Sequence, residues 1–218
     1  MSDATTTKSR TAAPRAGATA KSELRAQLRA SRASIPEDVR SSIDAAICER
    51  LLQTEAYENC SLVLTYLSTE HEVDTRRLVE RAIADGKSVA LPRCVPKTRE
   101  MNWHLVKNLD GLVVSSFGIE EPADDDVTLI EAASMEQGRT LAVVPALAFD
   151  EEGFRIGYGG GFYDTFLARF AGKTAGICRE SHLVESLSAK GAVEKHDRAV
   201  DFVVTEKRVL FPQAPRGV

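Results

Sequence analysis

What this sequence lacks narrows its class before any motif is read. Its four cysteines, Cys48, Cys60, Cys94 and Cys178, form no C-x-x-C pair and have no histidine-rich surroundings, so neither a zinc site nor a disulfide scaffold suits the 218-residue chain. No apolar run approaches the roughly 20 residues that a bilayer crossing needs. Near the N-terminus, Thr and Ala stand where a signal peptide would have its apolar centre. A basic excess is also missing: 28 Lys and Arg stand against 32 Asp and Glu, for a formal net charge of -4. A chain whose main ligand is nucleic acid carries a basic stripe or surplus, because phosphate neutralisation dominates that affinity. Only the first 25 residues lean that way, through Lys8, Arg10, Arg15, Lys21 and Arg25. These absences point to a cytoplasmic protein with reduced thiols and with no membrane or nucleic-acid partner.

What is present suits a folded α/β enzyme. Hydrophobic residues make up 43 % of the chain, enough for a sizeable core. Residues 1–20 are rich in Thr, Ala and Ser without large apolar side chains, and are expected to be a disordered tail. Residues 21–212 are expected to form a single α/β domain, and 213–218 a C-terminal tail. Leu24 and Leu28 lie one turn apart in a first helix. Val39, Ile43, Ile47 and Leu51 recur every four residues in a second helix restarted at Pro36. Residues 61–67 (SLVLTYL), 88–92 (SVALP), 101–106 (MNWHLV), 141–149 (LAVVPALAF), TAGIC and DFVVT read as strands. Asp74 and Thr75 are placed to cap a helix over Leu78, Val79, Ala82 and Ile83, and Gly86 to end it. Strands alternating with helices predict a mostly parallel sheet covered on both faces.

The densest chemical signal is VPALAFDEEGFRIGYGGGFYDTFLARF. Gly157, Gly159, Gly160 and Gly161 lie between an apolar strand and a helix. There, backbone N–H groups can close on an anion, and the next helix points its positive end the same way. The spacing is neither a Walker A loop nor the dinucleotide fingerprint. Arg155 can set a guanidinium beside phosphate oxygens. Asp164 is placed either to cap the helix or to hold magnesium, which favours a carboxylate or two plus substrate phosphates. Lys21 and Arg25, four apart, share one helix face. His196, Asp197 and Asp201 form a second acidic centre before a strand. Glu72 follows an apolar strand, where a carboxylate can accept two hydrogen bonds from an amino-pyrimidine edge.

Six separated segments, KSELR, YLSTEHEVDT, GKSVALPR, FGIEEP, VPALAFDEEGFRIGYGGGFYD and HDRAVDFVVTE, resemble in order those of the 5-formyltetrahydrofolate cyclo-ligases. The resemblance runs from Lys21 onward. It implies a three-layer αβα sandwich and an ATP- and Mg2+-dependent conversion of 5-formyltetrahydrofolate to 5,10-methenyltetrahydrofolate, by a monomer or weak homodimer. It implies ATP contacts from Lys21, Arg25, Arg155, Gly157, Tyr158, Gly159, Gly160, Gly161, Phe162 and Tyr163. Folate contacts fall to Leu67, Glu72, Gly159 and Phe162, with Glu72 anchoring the pterin. Asp164 and Asp197 are implied as magnesium ligands, and Arg155 and Tyr163 as catalytic. The chain departs from the pattern at Ala146 (usually Gly), Gly160 (often Lys), Phe162 (usually Tyr) and His182 (usually Gln), and His182 would add pH sensitivity if it titrated near neutrality. The alternative is a relative that binds folate or nucleotide without turnover.

Overall fold

The computed structural model describes residues 16–69, 71–116, 118–130, 135 and 139–212. Helix α1 (Ala16–Ala33) begins inside the stretch expected to be a disordered tail; the rest of that tail, and 213–218, lie outside the described residues. Helix α2 (Glu37–Leu52) and the short α3 (Glu55–Asn59) lead into strand β1 (Leu62–Leu64). Helix α4 (Arg76–Ala84) follows, then β2 (Ser88–Cys94), β3 (Met101–Val106) and the small hairpin β4 (Val113–Val114) and β5 (Glu120–Glu121). Asp74 Oδ1 accepts from the Arg76 amide at 3.0 Å, so Asp74, and not Thr75, supplies the side-chain contact at the start of α4.

The apolar run 141–149 is not one strand. It breaks at Pro145 into β6 (Thr140–Val144) and β7 (Ala148–Asp150), which belong to different sheets. Proline has no N–H to give a ladder, so the chain leaves the main sheet there. Strand β7 pairs with β8 (Arg155–Ile156) and with β10 (Leu183–Val184). Between them come helix α5 (Phe162–Leu167) and β9 (Lys173–Ile177); β11 (Phe202–Val204) and β12 (Val209–Leu210) close the fold.

The main sheet has the order β12-β11-β9-β6-β1-β2-β3. Its inner members β11, β9, β6, β1 and β2 are mutually parallel, and β12 and β3 are antiparallel edges. One face packs against Ile47 and Leu51 of α2 and Leu78 and Val79 of α4, over Val63, Leu141, Val143 and Phe202. Each such side chain contributes about 1.5–3 kcal/mol by leaving water. The other face, under α5, buries Val144, Leu167 and Val203, with Phe166 and Phe170 stacked beside them. The result is the expected three-layer αβα sandwich. Leu24 and Leu28 of α1 pack instead on Leu147 and Ile156 of the small sheet.

Topology decides where a ligand can sit. The chain visits the parallel strands as β1, β2, β6, β9, β11, while their spatial order is β2-β1-β6-β9-β11. The winding therefore reverses between β1 and β6. In such sheets the crevice beyond the strand C-terminal ends at that point is the binding position.

Candidate active site

A cavity of about 650 Å3 opens at that reversal. Tyr66 and Leu67 beyond β1, Leu91 and Cys94 of β2, and Pro145 beyond β6 form its floor. Every ATP, folate or magnesium contact that the resemblance implies lines it.

Helix α1 runs beside the glycine loop and supplies its cations. Arg25 Nε donates to the Gly157 carbonyl at 2.9 Å, and Arg29 reaches the Tyr158 carbonyl at 3.4 Å. The buried Arg32 donates to the Tyr158 hydroxyl at 3.1 Å and to the Ala146 carbonyl. Two loop positions need glycine. Gly159 has φ +103°, and a Cβ there would meet the Arg25 guanidinium at 3.7 Å. Gly161 has φ +76° and starts α5, so the helix has no side-chain cap, and Asp164 does not serve as one. A Cβ on Gly160 would lie 2.9 Å from the Phe162 ring. Two of the departures from the family pattern are thus linked: the Phe162 ring fills the space into which a side chain at 160 would emerge.

Several of the cavity's carboxylates and cations are already paired. Arg155 bridges Asp164 and donates to the Arg198 carbonyl at 2.9 Å. Lys21 reaches Glu194 at 2.9 Å and Asp197 at 3.1 Å. Glu194, His196 and Asp197 can bring ligand atoms within 4.8 Å of one another, and among the described residues no other group of three such side chains does so. Asp197 therefore joins a metal-capable cluster that includes Glu194, a residue the sequence reading passed over, whereas Asp164 stands outside it beside Arg155. Two carboxylates at one place suit a hard cation such as magnesium; the imidazole suits it less. Asp201 is elsewhere: its carboxylate accepts from the Thr174 amide and hydroxyl at 2.8 and 2.7 Å and ties β11 to β9.

Glu72 is held from two sides. Its Oε2 accepts from the Thr69 amide at 2.8 Å and the Thr69 hydroxyl at 3.0 Å. Its backbone carbonyl accepts from Arg179 at 2.9 Å, and that guanidinium also makes a two-point pair with Asp44 of α2, at 2.8 and 2.7 Å. The Tyr163 hydroxyl is buried on the cavity wall with no hydrogen-bond partner among the described residues. Burial and the nearby Glu72 charge raise its pKa, so it is a neutral donor. His182 does not line the cavity. It is buried, and burial with the Arg32 and Arg179 charges pushes its pKa down to about 4, so the condition for pH sensitivity near neutrality is not met.

The sequence profile of the 5-formyltetrahydrofolate cyclo-ligase family matches residues 18–206. A probable 5-formyltetrahydrofolate cyclo-ligase of Schizosaccharomyces pombe is 25 % identical over 202 residues, covering 87 % of this chain and 97 % of that protein. A mitochondrial 5-formyltetrahydrofolate cyclo-ligase of Arabidopsis thaliana is 29 % identical over 212 residues, 89 % of this chain and 76 % of that one. Among solved structures, the 5,10-methenyltetrahydrofolate synthetase of Aquifex aeolicus superposes with a TM-score of 0.75 at 28 % identity, over 91 % of this chain and 95 % of that one. The matched span takes in the cations of α1, the glycine loop, Glu72 and the Glu194–Asp197 cluster, all of which meet in one crevice, and the chain belongs to the 5-formyltetrahydrofolate cyclo-ligase family.

Proposed function

We propose that the chain converts 5-formyltetrahydrofolate to 5,10-methenyltetrahydrofolate at the expense of ATP. The observation that carries this reading is the convergence, in one crevice, of a cation-flanked glycine loop and a fixed carboxylate, Glu72. The first suits a phosphate chain and the second a pterin.

The reaction needs two displacements. The formyl oxygen attacks the γ-phosphorus of ATP, the bridging P–O bond breaks, and its electron pair leaves with ADP. N10 then attacks the formyl carbon and loses its proton, and the C–O bond breaks with departure of inorganic phosphate. Phosphoryl transfer asks mainly for alignment and charge neutralisation. Gly157, Tyr158, Gly159, Gly160 and Gly161 offer backbone N–H groups to the phosphates, and Lys21, Arg25 and Arg155 offer positive charge. Glu72, oriented by Thr69, holds the pterin edge, with Leu67 and Phe162 against the ring. Tyr163 donates its unpaired hydroxyl toward the oxygen that becomes phosphorylated. No strong general base is required, since N10 is already nucleophilic and the departing phosphate can take its proton.

Magnesium fits this donor set. Asp164 and Asp197, with Glu194 beside Asp197, would hold it; bound with ATP, it neutralises phosphate charge. We further place the enzyme in the cytoplasm, as a monomer or weak homodimer acting on two small molecules. No helix among the described residues is long and apolar enough to cross a membrane, and one relative is a mitochondrial form. Fractionation of cells carrying a tagged chain separates those two locations.

The deciding test is near-ultraviolet absorbance after mixing protein, 5-formyltetrahydrofolate and Mg2+, with and without ATP. The methenyl product absorbs where the substrate does not. An ATP-dependent rise abolished by chelation is expected. A flat trace from folded protein would transfer the chain to the non-catalytic binding reading.

A further inference from the structure

The cations around the glycine loop differ in what already holds them. Lys21 is matched by Glu194 and Asp197, and Arg155 by Asp164. Arg25 is spent in part on the Gly157 carbonyl. The loop from Gly157 to Gly161 carries no cation of its own, and the space beside Gly160 is taken by the Phe162 ring. Arg99 is the exception. It lines the cavity and has no hydrogen-bond or ion-pair partner among the described residues.

Arg99 comes from the turn between β2 and β3, and its backbone position is fixed. The Val95 amide donates to the Glu100 carbonyl at 3.0 Å, closing the turn, and Thr98 bridges it twice, donating to Val95 O at 2.9 Å and accepting from the Glu100 amide at 3.0 Å. From there the side chain lies along Gly161. A Cβ on that glycine would meet Arg99 Cδ at 3.2 Å, Nε at 3.5 Å and Nη1 at 3.6 Å. Arg25 makes the equivalent approach to Gly159, at 3.7 to 3.9 Å. Two guanidinium groups from distant parts of the chain thus rest on two glycines of one loop. Both faces of contact lack a Cβ, which lets each planar fork come close to the backbone N–H groups that would share its ligand.

We propose that Arg99 binds the phosphate chain of the nucleotide, reaching it from the β2–β3 turn while Arg25 reaches it from α1. This rests on the ATP-dependent reading above and adds to it a residue outside the glycine motif. A triphosphate brings several negative charges into a cavity whose other cations are largely compensated by carboxylates. An unpaired planar fork is the group best suited to take phosphoryl oxygens in pairs.

The test is the Arg99→Ala variant, with Arg99→Lys beside it. Arg99 is exposed, so the variants should melt at the wild-type temperature. For Arg99→Ala, kcat/KM for ATP should fall about 10- to 100-fold, the usual cost of losing a hydrogen bond to a charged group. The Kd of a non-hydrolysable ATP analogue should weaken in step, while the Kd of 5-formyltetrahydrofolate stays within about twofold. Arg99→Lys should recover part of the loss, since it restores charge without the fork. Wild-type ATP kinetics in Arg99→Ala would overturn the proposal. So would a loss confined to the folate KM, which would place the guanidinium on the folate's carboxylate instead. The parent reading fails separately, and visibly in the wild type alone, if ATP produces no absorbance rise there.

Discussion

Two arginine–carboxylate regions flank the cavity, and they are built differently. Behind Glu72, Arg179 and Asp44 have side chains only 1 % and 7 % exposed. Each of the three guanidinium nitrogens of Arg179 is bonded, to Asp44 and to the carbonyls of His71 and Glu72. Asp44 in turn accepts from the Asp74 amide at 3.1 Å. At the glycine loop, Asp164 remains 31 % exposed beside Arg155, and Glu194 54 % exposed beside Lys21. The first region is saturated: every guanidinium nitrogen is bonded, partly to the Asp44 carboxylate and partly to backbone carbonyls. The second is open: its cations can trade a carboxylate for a phosphate at modest cost, because water already reaches one partner. A buried pair here holds the wall, and the half-exposed pairs are the ones the proposed function gives to the ligand.

The sharpest way to break that contrast is to remove one partner of each pair. Asp44→Ala leaves Arg179 buried without its counter-charge and should cost about 3–5 kcal/mol of stability, read as a large drop in the denaturation midpoint. Asp164→Asn should leave the midpoint near wild type but lower turnover about 100-fold in the absorbance assay, through loss of a charge that the phosphoryl transfer uses. If Asp164→Asn destabilised the protein as much as Asp44→Ala, the two regions would not differ in kind. Glu72→Ala lies between them. It should raise the folate KM about tenfold by removing a charged hydrogen-bond acceptor, with little effect on the ATP KM. Equal effects on both constants would show that the wall fixed by Arg179 does not serve the folate.

Where the sequence was legible, the reason is physical. The four-residue recurrence of Val39, Ile43, Ile47 and Leu51 read as a helix because a helix with one buried face demands it, and α2 is that helix, although Val39 in its first turn stays exposed. The glycine cluster read as a loop able to face an anion because it falls between an apolar strand and a helix, and the structure puts it there, on the cavity wall. Arg179, Arg32, Glu194 and Arg99 were not legible, because each acquires its role through a partner far away in sequence: Arg179 from Asp44, Arg32 from Tyr158, Glu194 from Lys21, and Arg99 from Gly161. No local pattern marks such residues. The split of 141–149 was in principle visible, since Pro145 interrupts it; the apolar run outweighed the proline in the reading, although the missing N–H decides the structure.

The saturated region also makes the last and, at neutral pH, smallest prediction. His182 lies beside Arg32 and Arg179, with Nδ1 3.0 Å from the Ser181 hydroxyl and Nε2 buried without a hydrogen-bond partner among the described residues. Its pKa falls from the ordinary 6.5 to about 4. In the unfolded chain the imidazole takes up a proton below about 6.5, while in the folded protein it does so only below about 4. The unfolded state therefore binds more protons across that window, and stability is lost as pH falls through it. Over the whole window the loss attributable to His182 approaches about 3 kcal/mol, while at pH 7 it is negligible. His182→Gln should flatten this part of the stability curve and leave the neutral-pH midpoint and the activity profile above pH 6.5 close to wild type. Denaturant midpoints of both proteins measured between pH 4 and 7 check it. An unchanged slope in the variant would mean that protons do reach this side of the wall, and that the region is less closed than the saturation of Arg179 indicates.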